Sequence, residues 1–96
     1  MNERVINDRI KEVIESLPRD TPAQAEVIMD CLFTLKMADK HKEGTKHLED
    51  LFSNWLWTEE EPTDPRHLAY VVEMGKVEEK LVDQGLIYQD RRLSAD

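Results

Sequence analysis

TPAQAEVIMDCLFTLKMADKHKEG, residues 21 to 44, is the stretch on which the fold of this 96-residue chain turns. Thr21 precedes Pro22, and Gln24 stands three places after Thr21. The hydroxyl and the amide can each satisfy a free N–H at a helix start, while Pro22 suits the first helical position, where its missing N–H is not needed. From there apolar residues fall on most sides: Ala25, Val27, Ile28, Met29, Cys31, Leu32, Phe33, Leu35, Met37 and Ala38, relieved mainly by Glu26, Asp30 and Thr34. A helix of this kind belongs at the centre of a bundle. Lys36, Lys40, His41 and Lys42 bring cations to the negative end of its dipole, and Gly44 offers the stop, so the pattern predicts a helix from Pro22 to about Lys42.

Upstream, Ile6, Ile10, Val13, Ile14 and Leu17 form one stripe at helical spacing, predicting a helix over Asn2 to Leu17 that Pro18 ends. Downstream, Leu48, Leu51, Phe52, Trp55 and Leu56 repeat the pattern in a helix starting near Thr45. Trp57 breaks it, projecting opposite Leu48 if the helix continues so far. Thr58 to Asp64 reads as an acidic connector, and Asp64-Pro65 as another cap with proline at the first helical position. The fourth helix is expected from Pro65 to Gln84, with Leu68, Val71, Val72, Met74, Val77, Leu81 and Val82 apolar. Gly85 closes it, and Leu86 is placed for the hydrophobic contact that accompanies a glycine cap.

The fold class is therefore all-α: a small antiparallel bundle of about four helices. Residues 1–88 form a single helical domain, and 89–96 a polar tail expected to fray. At this length a chain buries only roughly 60 to 68% of the surface its unfolded form exposes, so a second copy completing the core is expected. Tyr70, Met74, Val77 and Leu81, at alternating four- and three-residue spacings, are the candidate dimer face alongside helix two.

Charge and cysteine usage narrow the partners. Twenty-one acidic against thirteen basic side chains give a net charge of −8, which repels phosphate backbones, so direct nucleic-acid binding is not expected and a basic protein is the easier partner. Cys31 is the one cysteine, set among apolar residues as a small buried hydrophobe in a reducing compartment. Met1-Asn2-Glu3-Arg4 has neither the basic start nor the apolar core of a secretory signal, and no run approaches the ~18 apolar residues of a membrane span. The expectation is a cytoplasmic protein with no membrane partner.

No motif for chemistry is complete. His41 and His47 are six apart across Gly44 and His67 lies beyond the connector, so none has the i, i+4 spacing of a helical metal site, and no metal or other cofactor is expected. Glu59-Glu60-Glu61 beside Pro62 lacks the apolar walls that shift a carboxylate pKa. Lys80 to Arg92 resembles the end of a winged-helix recognition helix passing into its wing. However, the room between Leu68 and Gly85 is short for a helix-turn-helix, and helix four carries Glu73, Glu78, Glu79 and Asp83 against Lys76 and Lys80.

What stands out is the stretch from Glu49 to Asp64, with six carboxylates, no Lys or Arg, and both tryptophans. Aromatic rings anchor interfaces and carboxylates steer a basic partner toward them. Trp57, Glu59, Glu60, Glu61, Trp55 and Asp64 are the expected partner-binding residues. The function these residues imply is that of a small acidic regulator, adaptor or inhibitor of bacterial or phage type, acting by protein–protein binding and not as an enzyme. The alternative is a nucleic-acid mimic that inhibits a DNA- or RNA-handling protein. A small helical metal-dependent enzyme comes third.

Overall fold

The box around Thr21 forms as its residues dictate. Thr21 Oγ1 accepts from the Gln24 N–H at 3.2 Å, and Gln24 Oε1 accepts from the N–H groups of Thr21 at 3.1 Å and Asp20 at 2.8 Å. A computed structural model describes residues 3–56 and 63–87, and among them the chain forms four helices: α1 (Glu3–Glu15), α2 (Pro22–His41), α3 (Lys46–Leu56) and α4 (Pro65–Asp83). No strand occurs among the described residues. The all-α expectation holds.

Helices α2 and α4 each touch all three others, whereas α1 and α3 do not touch each other. Helix α2 packs on its neighbours most extensively, in keeping with its apolar composition. Its buried line is Val27, Ile28, Cys31, Leu35 and Ala38, which meets Ile10 and Ile14 of α1, Leu48 and Phe52 of α3, and Tyr70, Met74, Val77 and Leu81 of α4 in one core. Cys31 Sγ lies 3.8 Å from Met74 Sδ, fixing α2 against α4 at its midpoint. Nevertheless α2 is not apolar to its neighbours all round. Met29 is 69% exposed and Phe33 66%, while Leu32 is only half-buried, because three neighbours cover one side of a helix and leave the far side to solvent.

Several expectations are corrected by this packing. Tyr70, Met74, Val77 and Leu81 lie in the chain's own core, so they are not free to face a second copy. Glu78, expected among the displayed acids of α4, is fully buried beside them, since it lies on the same side of the helix as Met74 and Leu81. Conversely Leu68 and Val72, expected on the apolar face, project away from that side and are 50% and 49% exposed.

The helix ends follow local chemistry. Helix α1 stops at Glu15, two residues short of Leu17, where the Ser16 hydroxyl donates to the Val13 carbonyl at 2.6 Å. At the end of α2 the left-handed residue is Lys42 (φ 56°), ahead of the expected Gly44. The Glu43 N–H reaches back to the Ala38 carbonyl at 3.0 Å, and Gly44 (φ 60°) makes a second left-handed step that turns the chain toward α3. Helix α4 closes as expected: Gly85 (φ 71°) donates to the Val82 carbonyl at 2.9 Å and Leu86 to that of Leu81 at 3.0 Å, with Leu86 packed on the core.

Candidate interaction surface

The corner between α3 and α4 is built on Trp55. Its ring, half-buried at the end of α3, packs 4.6 Å from the Tyr70 ring and 5.2 Å edge-on from His67, both on α4. The Tyr70 hydroxyl donates to the Asp30 carboxylate, so the aromatic stack is tied across to α2. Burial, reinforced by the hydrogen bond and charge of Asp30, pushes the Tyr70 hydroxyl up and keeps it protonated. Asp64 caps α4: its Oδ1 accepts from the Arg66 N–H at 2.7 Å. Trp55 and Asp64 thus stand at the same corner, linked through His67 one turn into α4. Trp57, Glu59, Glu60 and Glu61 lie outside the described residues.

Beside this corner runs an open groove between the start of α2 and the outer side of α4, with Pro22, Ala23, Pro65, Leu68, Ala69 and Val72 as its apolar lining. Its charged border includes Glu26, Arg66, Glu73 and Lys76. Glu73 is engaged twice, accepting from Gln24 Nε2 at 3.4 Å and pairing with Lys76 Nζ at 3.2 Å, which holds that wall in place. Reasoning from sequence missed this groove. The available signal was the pair Leu68 and Val72, four apart and rotated by more than about 100° from Met74 on a helical wheel. Two apolar residues off the main stripe already imply a second face.

The histidines also sit differently from what their spacing suggests. The left-handed turn at Lys42 and Gly44 folds α3 back on α2 and brings the His41 and His47 rings to 6.0 Å, edge to face. His47 Nε2 lies 3.0 Å from Glu43 Oε2, but without the alignment of a hydrogen bond, so the contact is electrostatic and acts only when the imidazole is protonated. Among the described residues, no three His, Cys, Asp or Glu side chains are grouped to hold a metal ion.

Two further polar groups lie inside. The Asn7 carbonyl oxygen is buried against the hollow between α1 and α2 and has no hydrogen-bond partner among the described residues. Burial, with the nearby Asp30 charge, pushes the Cys31 thiol up from 9.0 to about 12, which leaves it protonated and poorly nucleophilic. No described helix is long and apolar enough to cross a membrane. Compared with protein-family models, with curated proteins and with solved structures, the chain matches none.

Proposed function

We propose that this protein is a small acidic cytoplasmic regulator, adaptor or inhibitor that acts by binding another protein, without catalysis of its own, and that it does so as a homodimer. The observation that carries the reading is that, among the described residues, four of the five large apolar side chains left in solvent, Met29, Phe33, Leu68 and Val72, stand in pairs on a surface otherwise crowded with charge, Val5 being the fifth. Singly exposed apolar residues are ordinary, but pairs four apart on two helices make patches, and patches rimmed by polar groups mark interaction sites. The Leu68–Val72 pair and its groove supply the apolar contact for the partner. The carboxylates from Glu59 to Asp64, which in the sequence immediately precede α4, supply the charge that draws a basic surface to it.

The test compares proteins captured from cells by the wild type with those captured by Leu68→Ser/Val72→Ser and by Trp57→Ala. A partner lost from both variants, while their melting temperatures stay within a few degrees of wild type, is the expected result. Equal recovery by all three proteins would remove the groove and Trp57 from the function. Capture that ignores these variants but vanishes on raising salt from about 50 to 200 mM would favour the mimicry of nucleic acid by carboxylates alone.

A further inference from the structure

The outward side of α2 carries an exposed line, of which Pro22 and Glu26 border the groove with α4 and Phe33 and Lys36 the hollow with α1. Pro22, Glu26, Met29, Phe33, Lys36 and Lys40 are all exposed and recur at alternating four- and three-residue spacings, the period of a helix–helix seam. At 100° per residue they span about 80° of arc centred opposite Cys31, the residue that faces the core. Leu68 and Val72 stand off this line, on α4.

The sequence of this line is self-complementary about Cys31. Met29 and Phe33 lie two residues to either side of it, Glu26 and Lys36 five, and Pro22 and Lys40 nine. We propose that two copies of the chain pair through this line with their α2 helices antiparallel, Met29 of each packing on Phe33 of the other and Glu26 of each meeting Lys36 of the other. The proposal rests on the homodimer reading above and gives it a surface and a register.

Charge selects this arrangement over its alternative. In a parallel pairing the same residues would meet themselves, Glu26 against Glu26 and Lys36 against Lys36, which is repulsive at both ends. Turned antiparallel about a twofold axis beside Cys31, every contact occurs twice and both charged pairs are attractive. Neither Glu26 nor Lys36 has an ion-pair partner among the described residues, so no existing contact must break. At the centre, two methionines and two phenylalanines leave water together, the apolar middle and charged ends that specific interfaces show.

A charge swap at one pair tests the register. Sedimentation equilibrium is measured on the wild type, Glu26→Lys, Lys36→Glu, the double swap Glu26→Lys/Lys36→Glu, and Phe33→Glu, with circular dichroism confirming that each remains helical. At about 0.15 M salt, where the change in net charge is screened, each single reversal turns two attractive pairs into repulsive ones and is expected to weaken dimerisation by about tenfold or more, the double swap to restore it, and Phe33→Glu to abolish it at micromolar protein. A dimer indifferent to all four variants would leave the homodimer standing and overturn this surface. Weakening by the single reversals without restoration by the double swap would overturn the antiparallel register. A wild type that stays near the monomer mass of 11.3 kDa at all concentrations overturns both the surface and the homodimer reading.

Discussion

Cys31 shows how much one residue's surroundings decide. Its thiol faces Met74 in the core, and burial raises its pKa from 9.0 to about 12. In the unfolded chain it ionises near 9, so above that pH the native state holds a proton that the unfolded state has released. A group whose pKa is raised by folding contributes stability in full below the unfolded value, and that contribution is lost as pH rises toward the folded value. Tyr70 shifts in the same direction from 10.0, so the window between pH 9 and 10 belongs mainly to Cys31. The urea midpoint of the wild type should fall across that window and that of Cys31→Ala should fall less. At about pH 8 a thiol reagent should label the native protein slowly and the denatured protein at once. Rapid labelling of the native protein would mean that Cys31 is not in the core. Lys42 makes the complementary point about backbone: a left-handed residue with a side chain costs roughly 1 kcal/mol against glycine, and the bonds that close α2 hold it there.

Helix α2 carries two unlike faces, and mutations on them should behave differently. Leu35 is buried at 4% exposure, so Leu35→Ala removes core contacts and should cost roughly 2–5 kcal/mol. Met29 is mostly in water, and Met29→Ala should change the stability of the folded chain by no more than about 0.5 kcal/mol. Denaturant melts of both at one low protein concentration give the comparison, and equal losses would mean that the helix is rotated from its described position. Much of the fold was legible because caps and stripes are local. Thr21 with Gln24, Asp64 with Pro65, and Gly85 with Leu86 each specify a helix end within a few residues. The split of α2 was not legible, since Met29 and Leu35 are equally apolar, and which one meets α1, α3 or α4 depends on where those helices lie. The same holds for Glu78, a charged residue on the Met74 side, and for His41 and His47, which meet only because the turn at Gly44 reverses the chain. Of the expected binding residues, Trp55 could be placed because it lies on a stripe, whereas the groove beside it depends on the crossing of α2 and α4.

For the molecule as a whole, charge and shape pull self-association in opposite directions, and magnitudes decide which dominates. Ion pairs among the described residues include Arg9–Glu12, His47–Glu43 and Lys76–Glu73, each between residues three or four apart with at least one partner well exposed, and such pairs contribute little. Ion pairs within a chain leave its net charge unchanged, so each copy presents −8 to the other. The smallest dimension of the chain, 23 Å, sets the scale of closest approach for the centres of two joined copies. Treated as point charges roughly 25 Å apart in water, they repel by about 10 kcal/mol unscreened, about 5 at 0.01 M salt and under about 1 at 0.15 M. The Glu26–Lys36 pairs, exposed at either end of the seam, are worth about 0.2–1 kcal/mol each and weaken over the same range. The long-range repulsion is the larger effect, so added salt should tighten the dimer even though its own ion pairs are attractive. The dimerisation constant measured by sedimentation should improve more than tenfold between about 0.01 and 0.15 M sodium chloride. The Glu26→Lys/Lys36→Glu protein, with the same net charge, should follow the same curve, whereas a seam dominated by its ion pairs would loosen as salt is added.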